Sequence, residues 1–96
     1  MRTELPGPKA KAIIARKQRV VSDPLDLHLP TVIQSAYGAA FTDVDGNTML
    51  DLSGGLGCHL VGYSHPKVVE AVTRQAERFS HTDFSVIPYE PYVELA

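Results

Sequence analysis

Apolar and polar residues recur along this chain with two different periods. Ala10, Ile13, Ile14 and the stem of Lys17 fall at helical spacing behind Pro8, which predicts a helix from Pro8 to about Gln18. Asp23-Pro24 and Leu29-Pro30 then break any regular pattern, because a residue before proline is pushed out of the helical region. Three strands are expected next: Val32 to Ser35, Tyr37 to Thr42, and Thr48 to Ser53 with Met49, Leu50 and Leu52 as its apolar members. Between the last two lies Asp43-Val44-Asp45-Gly46-Asn47, whose Asp-Gly pair is a strong turn signal. Residues 37–53 therefore read as an antiparallel hairpin.

Pro66 to Phe79 carries the clearest helical pattern. Val68, Val69, Val72, Ala76 and Phe79 make one face, and Lys67, Glu70, Arg74, Glu77 and Arg78 make the other. Glu70 and Arg74 form an i,i+4 pair in the favourable order. Pro66 suits the first helical position, so His65 becomes the N-cap residue. Ser80 to Pro88 is expected as a loop or short strand. A last helix should start around Pro91, with Glu90 and Glu94 complementing its positive end. Within about a turn and a half the chain stops, with no C-cap, so the 96 residues read as the front of a longer protein.

Composition narrows the class. Hydrophobic residues make up 44% of the chain, too many for a disordered segment. The lone cysteine, Cys58, allows no internal disulfide and fits a reducing compartment. No apolar run reaches the roughly 18 residues of a membrane span, and charges interrupt the N-terminus where a signal peptide would be apolar. A cytoplasmic protein is expected. The net charge of −2 hides an asymmetry: residues 1–19 carry +5 and the remainder −7. A basic arm of this kind suits an anionic partner, but no aromatic residue is interleaved to stack on bases. The plainer reading is a solvated helix docked on an acidic body. Neither nucleic acid nor membrane is expected as a partner.

The stretch from Asp51 to Pro66 packs Gly54, Gly55, Gly57 and Gly62 into a strand-to-helix transition. Such a loop brings backbone close to a ligand or to other backbone. It is not a P-loop, because Tyr63 stands where the phosphate-binding lysine belongs, and Leu60 breaks a dinucleotide fingerprint. Asp43, Asp45 and Asn47 imitate half of a calcium loop, but Gly46 is misplaced and Gly54 stands where a closing glutamate should be. Cys58 as a nucleophile, with His59, His65 or His81 as base, has no spacing to enforce it; a small apolar role is the simpler reading. No Cys or His pair has zinc spacing, so no metal site is expected.

Taken in order, the hairpin, the glycine stretch and Gly62-Tyr63-Ser64-His65-Pro66-Lys67-Val68-Val69 resemble the N-terminal region of class III aminotransferases, pyridoxal-5′-phosphate (PLP) enzymes of fold type I. Asp43, Asp45, Gly46, Leu50, Asp51, Leu52, Gly62, Tyr63, His65, Pro66 and Val68 stand at matching positions. Ser80-His81-Thr82-Asp83-Phe84 and Tyr89-Glu90-Pro91-Tyr92 look most like the 4-aminobutyrate branch. The resemblance covers about residues 30–96. Met49 and Tyr63 depart from the commoner family residues without breaking the pattern.

The resemblance implies an α/β fold: an arm over residues 1–29, then the first part of the small domain over residues 30–96. It implies a PLP-dependent transaminase that moves an amino group from an ω-amino acid such as 4-aminobutyrate to a keto acid such as 2-oxoglutarate, working as a homodimer. The Schiff-base lysine and the phosphate-binding groups would lie beyond Ala96, so the 96 residues alone should hold no covalent PLP; Lys9, Lys11 and Lys67 have no buried setting. No catalytic residue is expected within the chain. Leu56 and Ser85 match positions that line the substrate pocket. A racemase or epimerase of the same family, and a non-catalytic fragment that binds an anionic partner through its basic arm, are the alternatives.

Overall fold

The computed structural model describes residues 1–96, which divide into two compact units, Met1–His65 and Pro66–Ala96. The boundary falls at the His-Pro step, where proline restricts the residue before it.

The first unit begins with helix α1, Pro8–Val20. Pro8 opens it with no wasted donor, and Lys17 and Arg19 complement its negative end. A three-stranded antiparallel sheet follows: β1 Ile33–Tyr37, β2 Ala40–Asp43 and β3 Thr48–Leu50, in that order. The expected hairpin is present, with Ala40 opposite Leu50 and Thr42 opposite Thr48. Its turn is closed by the Gly46 N–H donating to the Asp43 carbonyl at 3.0 Å, with Gly46 left-handed (φ +81°). The first two strands differ from expectation. Tyr37 ends β1 and does not open β2, because Gly38 (φ +58°) and Ala39 make a second tight turn there. β3 also stops at Leu50, short of Ser53, since the chain leaves the sheet into the glycine stretch.

A hydrophobic core does not hold this unit together; Ala10 is its one fully buried apolar residue. The centre is polar instead. Asp43 and Asn47 are wholly buried. The Asn47 side chain donates to Asp43 Oδ2 and to Thr3 Oγ1, both at 2.9 Å, and its oxygen accepts the N–H groups of Arg2 and Thr3 at 2.6 and 2.9 Å. Asp45 accepts the N–H groups of Lys9 and Ala10, both at 2.9 Å, so a carboxylate from the hairpin turn caps α1. Gly7, at the N-cap position, has no side chain to do this. A Cβ there would stand 2.4 Å from the Asp45 carboxyl carbon, so the absent side chain is what admits the cap.

The second unit contains α2, Pro66–Arg78, and α3, Glu90–Leu95. Glu90 takes the first helical position in α3, one residue ahead of Pro91. Residues 80–88 form a loop. Phe79, Phe84, Tyr89 and Tyr92 pack edge-on or tilted, with centroids 4.5–6.1 Å apart. Glu70 and Arg74 make the expected pair at 3.6 Å, both exposed. The apolar stripe of α2 is exposed in turn, with Val72 at 63%.

Candidate functional site

The glycine stretch forms one turn of left-handed helix. Gly54, Gly55, Leu56 and Gly57 have φ of +56°, +61°, +60° and +83°. The Gly57 and Cys58 N–H groups donate back to the Ser53 and Gly54 carbonyls at 2.9 Å. Glycine enters this region freely, whereas an L-residue such as leucine pays about 1–2 kcal/mol. A strained non-glycine residue at the tip of a loop is the kind of feature that collects at functional sites. Leu56 is 85% exposed, and its neighbours lack side chains, so it projects alone.

Asp51 holds this turn. Its Oδ1 accepts the Ser53 hydroxyl at 2.6 Å and the Ser53 N–H at 2.8 Å; its Oδ2 accepts the Tyr63 hydroxyl at 2.6 Å and the Gly55 N–H at 2.8 Å. The Ser53 hydroxyl, then the Tyr63 hydroxyl and the Gly55 N–H, hold the Asp51 carboxyl well below the usual carboxylate range. Reciprocally, the bond to Asp51 raises the Tyr63 phenol, helped by desolvation and by the carboxylate charge. Tyr63 thus does more than stand in for the commoner family residue. Gly62 lies so close to the first hairpin that a Cβ on it would stand 2.8 Å from the Gly38 carbonyl oxygen.

Ser85 lies in the second unit and Leu56 in the first. Ser85 is exposed; its hydroxyl and N–H both donate to Asp83 Oδ1, closing a local turn and lowering the Asp83 carboxyl. Cys58 is exposed, with its Sγ 3.9 Å from the Leu56 carbonyl oxygen and no hydrogen bond to His59 or His65. His59 stacks on Tyr63 at 4.3 Å between ring centroids. His65 immediately precedes α2 as expected, but its buried Nδ1 makes no hydrogen bond, so the side chain caps nothing through that atom. In the imitation calcium loop, Asp45 and Asn47 spend their oxygens on the arm and Asp43 spends its own on the turn and on Thr31, and no cluster of three acidic, His or Cys side chains is placed to hold a metal ion. No helix is long and apolar enough to cross a membrane.

The basic arm docks, but not through its charges. Its backbone N–H groups meet Asn47 and Asp45, and none of its lysines or arginines makes an ion pair. Two signals pointed to the missing cap: a bare glycine before Pro8, and no acidic residue in the first turn of α1.

These residues do not by themselves make a PLP site. Lys9, Lys11 and Lys67 are exposed and Lys17 is half-buried, so none has the dry setting a Schiff-base amine needs. The Gly55, Gly57 and Cys58 N–H groups are taken by Asp51, Ser53 and Gly54 and so are not free to bind a phosphate.

The fold is nevertheless that of a known enzyme class. The ornithine aminotransferase of Toxoplasma gondii, crystallized with PLP at partial occupancy in its active site, superposes with a TM-score of 0.70 and 32% identity, over 76% of this chain and 17% of that one. The architecture is the N-terminal α/β segment of a fold type I, PLP-dependent transferase. The 4-aminobutyrate aminotransferase of Mycobacterium bovis is 43% identical over 94 residues, covering 98% of this chain and 21% of that protein. The alanine/serine racemase of Pyrococcus horikoshii is 40% identical over 92 residues, 95% of this chain and 19% of that one. Residues 21–96 match the family model of the class-III aminotransferases, and the chain belongs to that family. It spans about a fifth of the length of the curated relatives it matches.

Proposed function

We propose that the enzyme carrying this segment is a cytoplasmic, homodimeric transaminase that takes an amino group from an ω-amino acid such as 4-aminobutyrate and passes it, by way of PLP, to a keto acid such as 2-oxoglutarate. The similarity to a 4-aminobutyrate aminotransferase across nearly the whole chain carries this reading. The cofactor supplies the electron sink; the protein supplies position and electrostatics. Within this segment the contribution is to the rim of the substrate pocket. Leu56, strained and exposed at the tip of the glycine turn, presents an apolar wall to the donor's methylene chain. By the family resemblance alone Ser85, in a turn fixed by Asp83, is a further substrate-binding residue. The similarity to an alanine/serine racemase supports a second reading, inversion at an α-carbon with no net transfer.

Two assays on the full-length protein separate these readings. Transamination predicts visible cofactor absorbance, removable by borohydride, and glutamate formed from 4-aminobutyrate and 2-oxoglutarate. Racemisation predicts loss of optical rotation of alanine with no keto acid present. A colourless protein, inactive with added PLP, would sink both. Leu56→Tyr should change the ratio of kcat/KM between 4-aminobutyrate and 5-aminovalerate by about 10-fold, the scale of one methylene of pocket fit, with cofactor absorbance unchanged. Equal scaling of both donors would make Leu56 a packing residue.

A further inference from the structure

Leu56 is held by groups that do not touch it. The stretch from Asp51 to Tyr63 leaves the sheet beside Ala39 and returns beside Gly38. The Asp51 N–H donates to the Ala39 carbonyl at 2.9 Å, and Gly38 and Tyr63 exchange backbone bonds of 3.0 and 2.8 Å. One side-chain bond crosses this closed base, from the Tyr63 hydroxyl to Asp51 Oδ2. The same oxygen accepts the N–H of Gly55, the residue before Leu56. The Tyr63 hydroxyl also lies 3.6 Å from where a Cβ on Gly55 would stand, so the phenol underlies the turn.

We propose that Tyr63 is a positioning residue for donor selection: its hydroxyl orients the Asp51 carboxylate, which holds the Gly55 N–H and so fixes the direction in which Leu56 projects. This rests on the reading of Leu56 as a pocket wall. The physical logic is a strained turn held by an over-determined acceptor. The two Ser53 bonds hold Asp51 Oδ1, and on Oδ2 the Tyr63 hydroxyl is the one donor besides the Gly55 N–H. Without the phenol oxygen, Ser53 still holds Oδ1 but Oδ2 keeps the Gly55 N–H alone and admits water; the Gly55 bond loosens, and Leu56 relaxes out of the left-handed region. The pocket wall then moves, although no group near the reacting atoms has changed.

The test is a double-mutant cycle in the full-length holoenzyme with Tyr63→Phe, Leu56→Ala and the pair, reading kcat and KM separately for 4-aminobutyrate and 5-aminovalerate. Tyr63→Phe should shrink the donor ratio of kcat/KM by roughly 3- to 10-fold, mainly through KM of the favoured donor, with cofactor absorbance retained. In the Leu56→Ala background the same substitution should leave the ratio where it stands. Should Tyr63→Phe fail to load cofactor, Asp51→Asn, which keeps one oxygen for Ser53, must give the same change. Uniform loss for both donors, or an equal ratio change with and without Leu56, overturns the proposal. If Leu56→Ala alone leaves the ratio unaltered, the pocket-wall reading falls and takes this one with it. If Leu56→Ala shifts the ratio and Tyr63→Phe does not, only the role of Tyr63 falls.

Discussion

Two aspartates in the first unit do the same chemistry for different ends. Asp43 accepts four hydrogen bonds, from the Asp45 and Asn47 N–H groups, the Asn47 side chain and the Thr31 hydroxyl. Asp51 also accepts four, from Ser53 twice, Gly55 and Tyr63. Around Asp43 the cluster is sealed: Asp43 and Asn47 have no exposure. Around Asp51 the bonds converge on a turn whose tip carries an exposed, left-handed leucine. A buried acceptor that satisfies its neighbours stabilises the fold. A half-exposed acceptor that restrains a strained segment spends its bonds on shape. The comparison teaches that hydrogen-bond number alone does not separate a structural hub from a site; what the bonds restrain does.

The sharpest way to break this contrast is Asn47→Ala. It strips acceptors from Arg2 and Thr3 and a donor from Asp43, and each buried group left unpaired costs about 1–3 kcal/mol. The full-length protein should show the largest fall in Tm of the substitutions considered and faster amide exchange at Arg2 and Thr3, with donor preference unchanged. A variant that melts with the parent would deny the hub its structural role. Asp45→Ala should act less strongly, by about 1 kcal/mol for a lost helix cap. Exchange should then quicken at Lys9 and Ala10, whose N–H groups it caps. A shift in donor preference from this variant would blur the line between the two clusters.

The smallest effect concerns pH and is silent near neutrality. For Asp43, burial pushes the carboxyl up, but the bonds from the Asn47 side chain and N–H, Thr31 and the Asp45 N–H together outweigh it and leave it lowered. Asp51 is lowered as well, by the bonds from Ser53, Tyr63 and Gly55. An unfolded carboxyl near 3.8 binds protons that these folded ones exclude, so their stabilisation is full above that value and is lost as pH falls through the folded pKa values. Tyr63 runs the other way. Its folded pKa lies above 10.0, so its contribution is full below 10.0 and drains away as pH rises through the folded value. Thermal unfolding from mild to alkaline pH should show a loss above 10.0 in the parent that Tyr63→Phe lacks. Parallel curves would mean that the phenol is not bound to the carboxylate in solution.

Local signals carried much of this structure in advance. Pro8 and the Ala10–Ile14 spacing marked α1, the valine stripe marked α2, and Asp45-Gly46 marked the second hairpin. The first hairpin was hidden, because Tyr37-Gly38-Ala39-Ala40 offers one glycine and no polar punctuation. The density of glycine after Asp51 signalled a special backbone, yet nothing local assigns Leu56 a left-handed conformation. The bonds of Tyr63 to Asp51 and of Asp45 to Lys9 span 12 and 36 residues. Neither follows a helix or strand period, so periodicity was blind to both.

The way the arm is fastened has a consequence for how this region can change over time. The hairpin turn grips the arm's main chain, the Thr3 hydroxyl and the empty space at Gly7. A grip on main chain is indifferent to spelling. The arm's lysines and arginines can drift, swap or reverse sign among descendants while the docking persists. Gly7 and the Asp45–Asn47 turn, by contrast, have to be inherited together.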